Sequence, residues 1–152
     1  MNIGDTVPNF SLPTNGGGSF ELSQHAGKPL IIYFYPKDAT PGCTTQAQDF
    51  RDAFDAFQQA GCAIVGISKD SVRKHDNFAG KPALPFPLGS DADSDVCERF
   101  GVWVEKSMYG KTYMGIERST FLLAADGTLA AQWRKVKVKG HVAQVLEAVR
   151  AL

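Results

Sequence analysis

Two short runs of apolar residues constrain the fold of this chain more than any other feature. The runs are Leu30–Tyr35 and Cys62–Ile67, and both are rich in β-branched or aromatic residues. A strand with one solvated face alternates apolar and polar side chains, whereas a strand buried on both faces does not. The sequence therefore predicts a sheet whose central strands are covered on both sides.

Helical patterns separate and follow these two strands. Apolar residues recur every three or four positions between the strands, which predicts a helix from about Pro41 to Ala60, ended by Gly61. Three further helices are predicted: from a Ser71 cap to about Ala79, from an Asp93 cap through Phe100, and from about His141 to Val149.

Turn signals predict two hairpins. Phe10–Leu12 and Phe20–Leu22 alternate on either side of a glycine-rich turn, and Ser119–Ala124 and Leu129–Trp133 flank Asp126-Gly127. The segment Val102–Gly115 shows no such pattern and is predicted to be a loop. This order of elements predicts an α/β fold of the thioredoxin-like type, with a central mixed sheet, flanking helices and an N-terminal β-hairpin.

Length and charge narrow the functional classes. The 152 residues are predicted to form a single domain, 1–152. Sixteen Lys and Arg residues balance sixteen Asp and Glu residues, which argues against binding to nucleic acid or to an anionic membrane. The first residues lack the cationic and apolar regions of a signal peptide, so we expect a cytoplasmic protein.

The three cysteines, Cys43, Cys62 and Cys97, do not form a recognisable framework. Their number is odd, no C-x-x-C occurs, and no histidine pair has zinc-like spacing. We therefore expect no structural disulfide and no metal, and the sequence implies no cofactor. Cys62 heads an apolar strand and Cys97 sits beside apolar residues, so both are interpreted as inert core thiols.

Cys43 has a different setting, because it lies where a buried strand passes into a helix. Pro41 suits the first helical turn, and Gly42 lets the backbone approach a small ligand closely. The unpaired N–H groups and the dipole at a helix start favour an anion, so Cys43 is expected to be a reactive thiolate.

The run Phe34–Thr44 resembles the active-site segment of peroxiredoxins, in particular of their bacterioferritin comigratory protein, or Q-type, branch. Two later stretches are similar to that branch as well, Gly101–Lys111 and Gly115–Leu122. The resemblance extends over nearly the whole chain. Its most specific part joins Pro-x-x-x-Thr-x-x-Cys to a distant Arg118 before Ser-Thr-Phe-Leu.

The resemblance implies a thiol-dependent peroxidase and a role for each site residue. Cys43 would be the peroxidatic thiolate, and Arg118 would hold it as an anion and orient the peroxide. The Thr40 hydroxyl would hydrogen-bond the peroxide, Pro36 would shield the sulfur from water, and backbone N–H groups near Gly42 would stabilise the leaving oxygen. The implied partners are a hydroperoxide and a reductant, which is thioredoxin, glutaredoxin or a low-molecular-weight thiol, and the implied state is a monomer.

The chain departs from many relatives in its second cysteine. A resolving cysteine often follows the peroxidatic one by five residues, where this chain has Gln48, or lies in the next helix, which here has none. We therefore favour a one-cysteine mechanism in which an external thiol reduces the sulfenic acid. Cys97 as a resolving cysteine is the alternative, and Cys62 is less favoured because a buried strand cannot easily deliver its sulfur.

Two other functions stay open from the residues alone. A disulfide oxidoreductase of the same fold would need a cysteine three residues after Cys43, where the sequence has Gln46. A non-catalytic binding module would keep the fold without consuming peroxide.

Overall fold

A computed structural model describes all of residues 1–152, which form nine strands and five α-helices. The strands, numbered in chain order, are β1 (Ser11–Pro13), β2 (Ser19–Glu21), β3 (Leu30–Phe34), β4 (Ala63–Ser68), β5 (Leu88–Ser90), β6 (Trp103–Met108), β7 (Lys111–Ile116), β8 (Ser119–Leu123) and β9 (Leu129–Trp133). The helices are α1 (Pro41–Asp52), α2 (Phe54–Gln59), α3 (Val72–Gly80), α4 (Val96–Arg99) and α5 (His141–Arg150). None of them has the length and apolar character needed to cross a bilayer.

The central sheet has five strands in the order β5-β4-β3-β8-β9. Strand β3 is its middle strand, parallel to β4 and antiparallel to β8. All five residues of β3 are buried, as the apolar run predicts. The thioredoxin-like fold, the mixed sheet and the N-terminal hairpin of β1 and β2 are confirmed.

Two core layers lie on opposite faces of this sheet, because alternate residues of β3 point to opposite sides. Ile31 and Tyr33 belong to a layer that contains apolar side chains of α1, α2, α3 and α5. Leu30, Ile32 and Phe34 belong to the other layer, which contains α4, β1, β2 and the ends of the β6–β7 hairpin. Each layer comprises 17 buried residues, so neither face of the sheet is left to solvent.

The prediction of a loop at Val102–Gly115 is wrong, because β6 and β7 pair there as an antiparallel hairpin. Most of its side chains are exposed, so no alternation of apolar and polar residues marks the strands. The turn between the two strands is formed by Tyr109 and Gly110, which both have positive φ, 53° and 77°. Two such residues in succession make the tight turn whose twist matches a hairpin.

Three smaller predictions also differ from the structure. The long helix breaks at Ala53 into α1 and α2. Helix α4 starts later than predicted, and Asp91 rather than Asp93 caps it: its carboxylate accepts hydrogen bonds from the backbone N–H groups of Val96 and Cys97, at 3.1 and 2.8 Å. Strand β5 was not predicted, because three residues are too few to show a period.

Gly66 in β4 is required by the packing of its neighbours on the helical face of the sheet. A Cβ atom at this position would lie 2.7 Å from Cζ of Tyr33 and 2.9 Å from Cδ2 of Leu88. Tyr33 is itself a rigid, fully buried side chain between β3 and α1, and its ring stacks on that of Phe50. The contact therefore has little room to relax.

We expect Gly66→Ala to lower the free energy of unfolding by about 1–3 kcal/mol, because the added methyl group overpacks the core. The matched control is Gly80→Ala at the end of α3, where a Cβ meets nothing within 4 Å. That control should be neutral or slightly stabilising, since alanine favours a helix by up to about 1 kcal/mol over glycine. Urea denaturation with unchanged m values measures both, and equal stabilities of the two variants would contradict the packing argument.

Candidate active site

The end of β3 and the start of α1 together place Cys43. After the buried Tyr35, the chain passes through Pro36–Thr40 and enters α1 at Pro41. Thr40 is extended, with φ −78° and ψ 153°, as expected for a residue before proline. Cys43 is thus the third residue of α1, close to the surface through the exposed Pro41 and Gly42.

The first turn of α1 offers unpaired N–H groups beside this sulfur. The first backbone hydrogen bond of the turn runs from the N–H of Thr44 to the carbonyl of Thr40, at 2.9 Å. The N–H groups of Gly42 and Cys43 donate to no protein acceptor. Together with the positive end of the helix dipole, they make the site suitable for a thiolate and for an oxyanion formed next to it.

Arg118 is brought to Cys43 by strand pairing, although 75 residues separate them in sequence. It directly precedes β8, and Ser119 at the start of β8 pairs with Phe34 at the end of β3. Its Nη2 lies 3.3 Å from Sγ of Cys43, which is the only side-chain hydrogen bond to that sulfur. A guanidinium is a permanent positive charge in proteins, so Arg118 places one next to the sulfur.

Gly42 makes room for this guanidinium. A Cβ on Gly42 would lie 3.3 Å from Nη2 of Arg118. The sequence led us to expect that Gly42 lets the backbone approach a ligand, and in the structure the nearest group is the arginine that would bind that ligand.

Gln46 is a site residue that sequence reasoning missed. It is fully buried, and its Oε1 accepts a hydrogen bond of 2.5 Å from Nη1 of Arg118, while its Nε2 has no partner. Its spacing of three residues from Cys43 places it on the same face of α1, which was the available signal. In the sequence we considered this position only as the place of an absent second cysteine.

Thr40 and Pro36 lie in the loop that leads to Cys43, and both are half-buried. The Thr40 hydroxyl donates to the carbonyl of Lys37 at 2.8 Å, so its oxygen lone pairs remain free to accept a hydrogen bond. Its own carbonyl accepts from the N–H and from the hydroxyl of Thr44, at 2.9 and 2.8 Å, which fixes the start of α1. Neither residue hydrogen-bonds the sulfur.

The charge of Arg118 contributes to the pKa shifts of other titratable groups, among them Lys106 and His141. Burial, and then repulsion from Arg118, lower the pKa of Lys106 in β6, while Cys43 and Glu117 partly offset these effects. Burial and Arg118 also lower the pKa of His141 to about 4. His141 is therefore neutral at neutral pH, and the positive charge near the sulfur comes from the arginine and the lysine.

The other two cysteines are as buried as Cys43, with 3% and 0% exposure against 2%, but their settings differ. Cys62 lies at the opposite end of the sheet, where β3 begins, so the length of β3, about 16 Å, lies between the two ends. Burial raises the pKa of Cys62 to about 12. Burial and then Asp91 raise the pKa of Cys97, which packs in the core layer on the other face of the sheet.

One group of side chains is compact enough to be considered for a metal ion. Possible ligand atoms of Asp38, Asp70 and His75 all lie within 4.8 Å of one another. These atoms already hydrogen-bond each other and neighbouring backbone groups, so their bonding needs are met by the protein alone.

Residues 3–132 match the sequence profile of the AhpC/TSA family. The chain belongs to this family. Peroxiredoxin Bcp of Xanthomonas campestris pv. campestris is 53% identical over 93% of this chain and 90% of its own length. Peroxiredoxin Bcp of Bacillus subtilis is 47% identical over 99% of this chain and 96% of its own length.

Solved structures point to the same branch of the family. Peroxiredoxin Q of Xanthomonas campestris superposes with a TM-score of 0.89 and 52% identity, covering 93% of this chain and 90% of its own. A cysteine-to-serine variant of the Xylella fastidiosa protein PrxQ gives a TM-score of 0.95 at 42% identity, covering 99% and 96%. The resemblance to Bcp or Q-type peroxiredoxins is thus confirmed, and the chain is a peroxiredoxin enzyme, a thiol-dependent peroxidase that uses a thiol reductant.

The contrast between the three thiols leads to a labelling prediction for this peroxiredoxin. Iodoacetamide at pH 8 should alkylate Cys43 in the folded enzyme and leave Cys62 and Cys97 unmodified. Only the thiolate reacts, and a pKa of about 12 leaves about one part in ten thousand of Cys62 as thiolate at this pH. Raising the pH should increase Cys62 labelling, because deprotonation increases toward the pKa.

Peptide mass spectrometry measures the modification of each cysteine. Denatured enzyme should take up three labels, and folded Cys43→Ser should take up none. Labelling of Cys62 or Cys97 as fast as Cys43 in the folded enzyme would show that the site does not activate its cysteine.

Proposed function

We propose that Cys43 is the nucleophile of a peroxidase that reduces hydrogen peroxide and organic hydroperoxides. The observation that carries this proposal is the guanidinium of Arg118 at 3.3 Å from Sγ of Cys43, at a helix start with unpaired N–H groups. A positive charge and unpaired N–H groups beside a cysteine favour its reaction as a nucleophile and form a ready-made binding site for a polar, anion-forming substrate.

The reaction begins when the Cys43 thiolate attacks the terminal oxygen of the hydroperoxide. An S–O bond forms as the O–O bond breaks, which gives the cysteine sulfenic acid and an alkoxide or hydroxide. The leaving oxygen takes a proton and departs as alcohol or water. Negative charge therefore moves from sulfur to the leaving oxygen, and donors that follow this movement lower the barrier.

We assign the role of following that charge to Arg118 and to two backbone N–H groups. Nη2 of Arg118 contacts the sulfur, and the N–H groups of Gly42 and Cys43 are unpaired at the start of α1. Thr40 has oxygen lone pairs free to accept the peroxide hydrogen, which aligns the substrate for attack. To Pro36, which is half-buried in the same loop and has no N–H to donate, we assign the role of shielding the sulfur from water.

The substrate class is supported by one relative. The bacterioferritin comigratory protein of Xanthomonas campestris, 51% identical to this chain, is described for its alkyl peroxide reduction activity. We extend organic hydroperoxides as substrates to this chain on the basis of that similarity and of the site residues above.

Substitutions at the two side chains test the proposed roles. Arg118→Ala should lower kcat/KM for hydrogen peroxide by about 100-fold or more, because it removes a charge-assisted donor from the transition state. Thr40→Val should lower it by about ten-fold or more, while Thr40→Ser, which keeps the hydroxyl, should retain most of the activity.

The matched control for Arg118 is Arg73→Ala, which removes an exposed arginine from α3. It should leave peroxide kinetics unchanged. The Cys43→Ser variant should consume no peroxide. If the Arg118→Ala and Thr40→Val enzymes fold and keep wild-type kinetics, the roles assigned to these two residues are wrong.

For the second half-reaction we propose a one-cysteine mechanism. An external thiol attacks the sulfenic acid, forms a mixed disulfide and releases water, and a second thiol then frees Cys43 and leaves as the disulfide. The positions of the other two cysteines support the one-cysteine mechanism. Cys97 packs on the opposite face of the sheet, and Cys62 lies at its opposite end. A disulfide requires Cα atoms within about 7 Å, so either pairing would demand a large rearrangement.

One equivalent of hydrogen peroxide decides between the mechanisms. We expect intact-mass analysis to show a gain of one oxygen, about 16 mass units, on Cys43, which dimedone traps as an adduct. Cys62 and Cys97 should remain free thiols. A loss of two hydrogens with a peptide linking Cys43 to Cys97 would instead establish Cys97 as the resolving cysteine, and the peroxidase assignment would stand.

We further propose that the reductant is thioredoxin, glutaredoxin or a low-molecular-weight thiol, and that the enzyme is a cytoplasmic monomer. The three free cysteines and the balanced charge support a reducing compartment and no charged-surface partner. Peroxidase assays with each reductant and size-exclusion chromatography test the first and last of these points.

A further inference from the structure

A buried polar cluster next to the active-site loop has no part in the mechanism above. Its central residues are Asp38 in the loop and His75 in α3, with 8% and 0% exposure. Tyr35, at the end of the β3 segment, is also buried there. Burying charged or polar groups this deeply destabilises the fold unless each group is hydrogen-bonded. The hydrogen bonds of the cluster therefore indicate which of its atoms carry hydrogens.

Hydrogen counting shows that Asp38 and His75 share a proton. Nε2 of His75 lies 3.0 Å from the carbonyl of Gly89, which can only accept, so Nε2 carries a hydrogen. Nδ1 lies 2.6 Å from Oδ2 of Asp38, a separation that requires a second hydrogen between them. The pair is thus imidazolium with carboxylate, or imidazole with carboxylic acid. The Tyr35 hydroxyl donates to the other carboxylate oxygen at 2.5 Å.

The same aspartate is held through its backbone. The N–H of Asp38 donates to Oδ2 of Asp70 at 2.8 Å, and that oxygen also accepts from the Ser68 hydroxyl at 2.8 Å. The loop is thereby tied to β3, to the end of β4, to α3 and to β5. All these partners lie outside α1, and none of them hydrogen-bonds Cys43.

The backbone next to Asp38 needs such support. Ala39 has φ 64°, a left-handed conformation that is unfavourable for a residue with a Cβ. A strained residue persists only where its surroundings fix it. Thr40 follows directly, so the direction of the Thr40 side chain depends on how the strained turn is held.

We propose that Asp38 and His75 are positioning residues that set the loop Pro36–Thr40 for reaction with peroxide. This proposal rests on the proposed function of Cys43 and Thr40. The sulfur is held by α1 and Arg118, whereas the loop that carries the peroxide-aligning Thr40 hydroxyl is held by the proton-sharing pair. Breaking the pair therefore impairs the reaction with peroxide and spares the reaction of the same sulfur with a reagent that needs no alignment.

The test measures two second-order rate constants for Cys43 in each variant, one with hydrogen peroxide and one with iodoacetamide. Asp38→Ala and His75→Ala should lose about ten-fold to 100-fold in the peroxide rate, the size of effect that a displaced aligning group produces. Their iodoacetamide rates should stay within about three-fold of wild type, since a purely structural effect on the site would lower both together. Arg73→Ala, an exposed site on α3, is the matched control and should change neither rate.

Asp38→Asn provides a rescue. Its amide can donate to an unprotonated Nδ1 of His75 and its carbonyl oxygen can accept from Tyr35, so all hydrogen bonds survive without the shared proton. The peroxide rate of this variant should return to within about three-fold of wild type. Equal losses in both reactions, or an Asp38→Ala variant with a wild-type peroxide rate, would overturn the proposal.

If the alanine variants do not fold, a measurement on the wild-type enzyme still tests the shared proton. The ¹H spectrum should show two slowly exchanging protons at His75, one on Nε2 and one in the hydrogen bond between Nδ1 and Oδ2 of Asp38, whichever of the two atoms carries it. Absence of the second proton would overturn the shared proton. Failure of the proposed function is distinguishable, because wild-type Cys43 would then fail to react with peroxide at all.

Discussion

The antiparallel pairing of β8 with β3 is the contact on which the site depends. It sets Ser119 opposite Phe34, and so places Arg118 beside the turn that leads from β3 into α1. Cys43 reaches the same point from the other direction, as the third residue of α1. A shift of this register by one residue would turn Arg118 to the other face of the sheet. The buried side chains of both strands resist such a shift, so the core on both faces keeps the charged pair in register.

The site keeps its cations close to the sulfur by giving them few competing anions. The arginine hydrogen-bonds a neutral glutamine, Gln46, and forms no salt bridge. An amide oxygen fixes the plane of the guanidinium without cancelling its charge, so the field at Sγ of Cys43 is retained. The cost is the buried Nε2 of Gln46, which has no partner. A group of this kind destabilises the fold slightly, and such groups are found where function requires them.

The sequence was sufficient for the features that follow a local rule. Leu30–Tyr35 marks the central strand by burial on both faces, and Pro41 marks the start of α1. Arg118 entered only through family resemblance, because no local pattern shows that residues so far apart meet. The β6–β7 hairpin was missed since exposed strands carry no burial signal. Asp38, His75 and Gln46 were missed because the role of a buried polar residue depends on hydrogen-bond partners that only the folded chain brings together.

The position of Cys97 behind the sheet has a consequence for damage by excess oxidant. Cys97 and Cys43 lie in separate core layers on opposite faces of the sheet, and Cys62 lies at its other end, so a sulfenic acid on Cys43 has no cysteine beside it with which to condense. Cys43 belongs to the core layer that contains α1, α2, α3 and α5, but it borders the exposed Pro41 and Gly42 at the start of α1. Under the proposed one-cysteine mechanism, the arrival of an external thiol therefore competes with a second molecule of peroxide, which would carry the same sulfur on to the sulfinic acid.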